Sequence, residues 1–326
     1  MSNLVTIFGG SGFVGRYVAR GMAKKGWRVR VAVRRPNEAM FVKPYGAVGQ
    51  VEPIFANIRD DDSVRAALHG SDVVINCVGS FDMRGANNVD AVQAEGAERI
   101  ARIAAEVGIS RMVHISAIGA DVESDSDYAR SKAEGEVGVL RHQPNAVILR
   151  PSVVFGPEDE FFNRFAKMAR MSPAIPLVGA EAKFQPVYVD DVAQAAVQGA
   201  LGEAAPGIYE LGGPDIRTFR ELVQEMLGVI QRRRLVIGLP FWLGSLMGRV
   251  FGIVSAMTGG LIAAPITSDQ VKNLRRDTVV AESAKTLADL GIEATATEAV
   301  LAEYLWPYRP SGQYAAIKNS AKNLKT

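Results

Sequence analysis

The sequence predicts an α/β protein: a Rossmann-type doubly wound parallel sheet with a smaller, mainly helical C-terminal subdomain. Three observations predict it. Short apolar, β-branched runs alternate with helix-length stretches up to Pro151, the pattern of parallel strands covered on both faces. A glycine-rich turn follows the first of those runs. Beyond Pro151 the alternation loosens, and most of the periodic segments there have helical spacing.

Taken in order, Leu4–Phe8 is a short apolar strand that runs straight into glycines. Residues 16–25 have helical spacing and stop near Gly26. Arg28–Val33, reading RVRVAV, alternates as a second strand, and residues 51–56 form a third. A helix over 62–69 stops at Gly70, and residues 72–77 are a fourth strand. The long helix 91–107 ends at Gly108, followed by a fifth strand at 111–116, a helix at 131–141 and a sixth strand at 146–150. The later half holds helices at 161–171, 190–201 and 219–229, with strands at 187–189 and 208–211.

Composition excludes several functions. Hydrophobic residues make up 48% and charged residues 22%, too apolar for a disordered chain. The 37 Lys and Arg nearly cancel the 35 Asp and Glu, leaving +2, without the basic excess of a nucleic-acid binder. Cys77 is the only cysteine, and His69, His114 and His142 are scattered. Disulfides and a cysteine zinc site are excluded, and no metal site is expected. Residues 1–8 lack the basic and long apolar regions of a signal peptide, so folding is expected to start at the N-terminus, in the cytoplasm.

The glycine turn carries the chemistry. Gly9, Gly12 and Gly15 stand at three-residue spacing in Gly9-Gly10-Ser11-Gly12-Phe13-Val14-Gly15, between a strand and a helix. Glycine lets the backbone approach a pyrophosphate, and the free N–H groups of the helix start hold the anion, here around Ser11, Phe13 and Val14. At the end of the second strand an NAD site needs an acid for the ribose 2′-hydroxyl. This chain has Arg34 and Arg35, and no carboxylate until Glu38. Two guanidiniums suit a 2′-phosphate, so the cofactor expected is NADP(H); a solvated basic loop is the competing account. Asn57 and Ile58 after the third strand, and Cys77, Val78 and Gly79 after the fourth, are candidates for the adenine pocket. Cys77 is read as a small buried residue, not a nucleophile.

Tyr128 and Lys132 form a Y-x-x-x-K pair whose i, i+4 spacing puts both on one helix face. An ammonium near a phenol lowers its pKa and makes it a candidate acid/base. With the glycine turn, Arg150-Pro151, Phe155-Gly156-Pro157 and Val187-Tyr188-Val189-Asp190-Asp191, the chain resembles the extended and atypical short-chain dehydrogenase/reductases. That resemblance implies a catalytic hydroxyl after the fifth strand, as the third of three small residues. The run here is Ser116-Ala117-Ile118, and isoleucine has no proton to give. The triad is incomplete, no catalytic residue is assigned beyond the candidates Tyr128 and Lys132, and Ser116, Pro151 and Val153 become cofactor-side residues.

A narrower resemblance runs along nearly the whole chain, through Phe8 to Val18, Asp72 to Asn76, Phe155 to Asn163, Gln185 to Val189, Leu239-Pro240, Ile266 to Val271 and Asp289 to Ile292. It is to the nucleotide-binding accessory subunit of respiratory complex I, the proton-pumping NADH:quinone oxidoreductase, of alphaproteobacterial type. It implies tightly held NADPH used structurally, and other subunits of the peripheral arm and membrane junction as partners. It also implies a peripheral place on the cytoplasmic side of the inner membrane, near the quinone entrance. An active NADP(H)-dependent reductase or epimerase using Tyr128 and Lys132, and a nucleotide sensor, are the alternatives. On these grounds residues 1–155 are the NADP(H)-binding core, and 156–310 partly complete it and partly form a docking subdomain. Residues 311–326 are a polar basic tail.

Residues 235–268 contain a single charge, Arg249. Three accounts of this apolar segment stand: a buried helical subdomain, a face for another subunit or the membrane interface, or a membrane span. Gly259-Gly260 and Pro265 interrupt a span, so no transmembrane helix is assigned. Phe241, Trp242, Leu246, Val250 and Phe251 are the large residues a face would offer. Arg232, Arg233 and Arg234 precede the segment and suit anionic lipid headgroups, or solvent. Lys318, Lys322 and Lys325 in the tail would suit an acidic partner.

Overall fold

A computed structural model describes residues 3–83, 85–246 and 268–312. The chain forms two compact units, one from residues 1–152, 189–212 and 280–294, the other from 153–188, 213–279 and 295–326.

The first unit is built on a seven-stranded sheet ordered β3-β2-β1-β4-β5-β6-β11. The strands are β1 (Leu4–Phe8), β2 (Arg28–Val33), β3 (Val51–Phe55), β4 (Val73–Asn76), β5 (Met112–Ile115), β6 (Val147–Pro151) and β11 (Gly207–Leu211). Every neighbouring pair is parallel. β1, β4 and β5 are buried at every residue, as strands covered on both faces must be. Helices α1 (Phe13–Lys24) and α6 (Val189–Leu201) pack together; α3 (Glu95–Glu106) packs against α2 (Asp61–Leu68) and α4 (Asp127–His142). Phe8, Val74 and Met112 of the sheet share a core with Ile100 and Ile103 of α3. The strand order reverses between β1 and β4, the crevice where open α/β sheets bind ligands.

The structure differs from the sequence expectation in several elements. α4 starts at Asp127, not 131, because the Ser126 side chain accepts the Ala129 N–H and caps the helix. α3 is preceded by a π-helical turn over Asp90–Ala94. A 3₁₀ helix over Pro36–Tyr45 follows β2.

The second unit holds β7 (Val154–Phe155), β8 (Ala174–Val178), β9 (Lys183–Phe184), β10 (Val187–Tyr188), β12 (Arg217–Thr218) and β13 (Leu235–Leu239), all in two-stranded pairs. It also holds α5 (Phe162–Met171), α7 (Phe219–Val229) and a helix over Thr297–Tyr304. Phe155, Phe162, Phe219, Met226 and Leu301 centre its core. Phe161 packs its ring against Phe162, Phe165, Phe184 and Phe219 at centroid distances of 5.0–6.1 Å. Thr218 and Glu221 close a reciprocal capping box at the start of α7. Asp159 accepts from the Gly156 and Asn163 N–H groups and from the Tyr304 hydroxyl, which ties the helix over Thr297–Tyr304 to this core.

The apolar segment 235–268 therefore opens as a strand: β13 pairs in parallel with β8. Residues 241–246 are helical. Val250 and Phe251, like the tail lysines, lie outside the described residues. Among the described residues no helix is long and apolar enough to cross a membrane, and no cluster of His, Cys, Asp and Glu could hold a metal ion.

Candidate nucleotide site

β1 ends at Phe8 and the glycine turn begins. Gly9 has φ +73°, and a Cβ there would stand 3.1 Å from the Cys77 carbonyl and the Val78 nitrogen at the end of β4. A Cβ at Gly15 would stand 2.3 Å from the Gly9 carbonyl oxygen. These glycines let turn, helix and β4 close on one another. Gly12 N-caps α1 without a side-chain hydrogen bond, and the first turn has no acid. The leading N–H groups of α1 are therefore left to an external acceptor, and the helix dipole favours an anion. Arg16, which sequence reasoning passed over, stands at the same place. Its guanidinium donates to the carbonyls of Gly12 (3.3 Å) and Ser11 (3.2 Å) and lies over the Phe41 ring. Its position, one residue after the last glycine of the motif, was the available signal.

Arg34 and Arg35 follow β2 and are both exposed. Arg34 enters no ion pair among the described residues, whereas Arg35 pairs with Glu38 at 3.1 Å. The two are thus unequal. Asn57 accepts the Arg59 N–H on its side chain and donates its own N–H to Ser63 Oγ. Ile58 packs against Gly96 of α3, where any Cβ would meet it at 2.8 Å. After β4, the Val78 N–H is taken by the Asn76 side chain at 3.1 Å. Burial pushes the Cys77 thiol up to about 12, consistent with an inert thiol.

Tyr128 and Lys132 sit one turn apart on α4, the Lys132 Nζ 6.0 Å from the Tyr128 ring centre. Lys132 Nζ donates to the Ile115 carbonyl at 3.1 Å, and burial lowers its pKa to about 8. The expected lowering of the Tyr128 phenol is not found: burial raises it to about 12. The Tyr128 ring is stacked on exposed Phe81, 5.0 Å between centres and 10° from parallel. Nothing in the residues after β4, which lack any periodicity, announced that contact.

Ser116 is buried, and its hydroxyl donates to Glu136. Arg150 grips the same carboxylate with Nε at 2.8 Å and Nη2 at 2.6 Å, and Glu210 lies 3.6 Å from its Nη1. A serine whose proton is committed to a buried carboxylate has only acceptor capacity left for a ligand. Glu136 lies four residues after Lys132, on the face that already carries Tyr128, so that spacing could have found it. Ile118 donates its backbone N–H to Pro151. Pro151 closes β6, while Val153 is partly buried against the second unit's core.

Residues 5–212 match the NAD dependent epimerase/dehydratase family. A UDP-glucose 4-epimerase from Thermotoga maritima has the same fold, with a TM-score of 0.67 at 16% identity over 99% of this chain and 100% of that one. A ceramide reductase of Caulobacter vibrioides is 30% identical, covering 73% of this chain and 74% of its own. The Arabidopsis thaliana protein named NADH dehydrogenase [ubiquinone] 1 alpha subcomplex subunit 9, mitochondrial, is 35% identical over 318 residues, which is 95% of this chain and 79% of that one. Identity to this last relative extends through both units, whereas the reductase match spans 241 residues. The chain belongs to the NAD dependent epimerase/dehydratase family and, within that extended short-chain dehydrogenase/reductase class, to the family of the NADH dehydrogenase alpha subcomplex subunit 9.

Proposed function

We propose that this protein is a non-catalytic, NADP(H)-binding accessory subunit of the proton-pumping NADH:quinone oxidoreductase. It stabilises that complex or helps it assemble. It sits peripherally on the cytoplasmic side of the inner membrane, near the quinone region, against subunits of the peripheral arm and membrane junction, with lipid headgroups as a further contact. The observation that carries the reading is the combination of whole-chain identity to a subunit of that enzyme with Ile118 in place of the proton-transferring hydroxyl. The family and the glycine cradle support a nucleotide cofactor. Exposed Arg34, with no carboxylate partner among the described residues, supports the NADP(H) choice.

In this reading the uncapped N–H groups of α1 hold the pyrophosphate between Gly9 and Val14. Arg34, with Arg35 beside it, meets the 2′-phosphate. Asn57, Ile58, Cys77, Val78 and Gly79 line the adenine side, and Lys132 and Tyr128 the nicotinamide ribose. A bound NADPH would supply a hydride. The chain's own groups offer it a weak proton partner at most: Ile118 has no proton to give, Ser116 is turned to Glu136, and the Tyr128 phenol, held near 12, is a weaker acid than a free phenol. The nucleotide then acts by mass action, binding the native state only.

The test is purification from native membranes followed by denaturing extraction. Recovery with the complex at one NADPH per chain, inert to added carbonyl substrates in single-turnover assays, is expected. A free protein that exchanges NADP(H) and turns over would replace this reading with the second one. That second reading is an active NADP(H)-dependent reductase using Tyr128 and Lys132, and the ceramide reductase relative favours it.

A further inference from the structure

α7 stops in an unusual way. The Gln231 N–H bonds to the Gly228 carbonyl and the Arg232 N–H to the Leu227 carbonyl, both at 3.1 Å. This is the Schellman arrangement, whose left-handed residue is normally glycine. Here that residue is Gln231 at φ +54°, the one non-glycine residue with positive φ among those described. A side chain strains this conformation, which glycine adopts freely.

The strained glutamine opens onto a cavity of about 710 Å³, lined by Gln224, Gln231, Arg232, Arg233 and Arg234 over an apolar wall that includes Leu227. Among the described residues no carboxylate lines it. Two other arginines of the unit are neutralised: Arg217 pairs with Asp215, Glu225 and Glu298, and Arg220 with Glu181. The three cavity arginines are not spent on the helix end either, since the backbone N–H groups of 231 and 232 already take those carbonyls. Two of them are braced. Arg232 Nε donates to the Tyr308 carbonyl at 2.8 Å, and Arg234 Nε to the Ala169 carbonyl at 2.7 Å. Arg234 Nη1 also donates to the Arg233 carbonyl at 2.9 Å, so the terminal nitrogens of Arg232 and Nη2 of Arg234, which enter no hydrogen bond among the described residues, are the positioned donors. Arg233 is exposed and enters no ion pair among the described residues.

We propose that this cavity is a binding site for a phosphate group, carried by a phospholipid headgroup or by a soluble phosphate ester. The three guanidiniums bind the phosphoryl oxygens, and the Gln224 and Gln231 amides add donors. Guanidinium forks match phosphate geometry, and consecutive like charges become favourable once the anion arrives. The strain at Gln231 is retained because glycine would remove one of the donors. The inference makes specific the lipid-headgroup contact proposed above, and it does not depend on the nucleotide crevice, because every residue it uses belongs to the second unit.

The test uses the full chain preloaded with NADPH, so that a polyphosphate probe cannot enter the glycine cradle. Inorganic tripolyphosphate is titrated by calorimetry, and flotation is measured with phosphatidylcholine vesicles with and without phosphatidic acid. The wild type is expected to bind at least one of the two probes, and R233Q to weaken that binding about tenfold. R233Q is the safer variant, as the Arg233 side chain makes no hydrogen bond or ion pair among the described residues and its carbonyl, which accepts from Arg234, is unchanged. Q231G is expected to raise Tm while weakening the same binding, a pairing that a purely structural residue would not produce. Tripolyphosphate binding alone identifies a soluble phosphate ester; arginine-dependent flotation alone identifies a lipid headgroup. Failure of both probes with the wild type overturns the proposal. So does full affinity in the triple lysine variant R232K/R233K/R234K, which would reduce the site to diffuse positive charge.

Discussion

Isoleucine at 118 and the unequal neighbours Arg34 and Arg35 decide what the nucleotide crevice can do. The first puts a side chain with no proton to give where a hydroxyl is expected; in the proposed reading the arginine pair meets the 2′-phosphate. Arg34→Ala is expected to weaken NADPH binding more than Arg35→Ala, because Arg35 already shares its charge with Glu38. Glu38→Gln frees Arg35 and is expected to tighten NADPH by roughly two- to fivefold, the worth of an exposed ion pair. Titration of the three variants with NADPH and NADH checks this; equal affinities throughout would remove the NADP(H) assignment. His114 gives a pH prediction. Its Nδ1 lies 3.1 Å from the Asn76 amide, and burial, with a smaller contribution from Lys132, lowers its pKa to about 3. The unfolded chain takes up this proton near pH 6.5 and the folded chain only near 3, so stability falls as pH drops through that window. The slope from this one group approaches about 1.4 kcal/mol per pH unit. Denaturation midpoints for His114→Gln, measured between pH 7 and 4, are expected to fall less steeply than for the wild type.

At the scale of elements, the strand, glycine turn and helix form one device. Gly15→Ala puts a methyl 2.3 Å from the Gly9 oxygen, with backbone on the opposing side, which cannot yield as a flexible side chain would. The variant is expected to lose nucleotide binding and to melt earlier than the wild type, measured by calorimetry with and without NADPH. A cradle that tolerates alanine would not be shaped by that contact. The sheet strands were legible because each is a short apolar run bounded by helices, and the turn because glycine's role there is steric. β8 was not: it carries Pro176 and pairs with β13, whose sequence neighbours read as part of a longer apolar segment. Pairing between residues 174–178 and 235–239 has no local signal. The Phe81–Tyr128 stack and the Ser116–Glu136–Arg150 network were illegible for the same reason. They depend on where distant side chains arrive, and only the i, i+4 and i, i+8 spacing of Lys132 and Glu136 from Tyr128 hinted at a shared face.

At the scale of the molecule, one unit carries the seven-stranded sheet and the glycine cradle, and the other carries the exposed Trp242. In the second unit Trp242 is 68% exposed, and Leu235 and Leu246 are each more than half exposed. Isolated exposed leucines are ordinary, but a tryptophan left this open loses the burial of a large ring. In the proposed complex it would be an anchor at a subunit contact, where aromatic residues carry much of the binding energy. Trp242→Asp is therefore expected to abolish recovery of the protein with the membrane complex. It is expected to leave NADPH affinity unchanged and the stability of the isolated chain within about 0.5 kcal/mol, as for other exposed sites. Native gels of membranes and calorimetry of the isolated chain separate the two effects. If the isolated variant melts early, Trp242 packs within its own unit and the docking face must be sought elsewhere. If the variant is as stable as the wild type and still assembles, the apolar face is not the contact. Loss of assembly with stability and NADPH binding intact would place the contact on the second unit, independently of the nucleotide crevice.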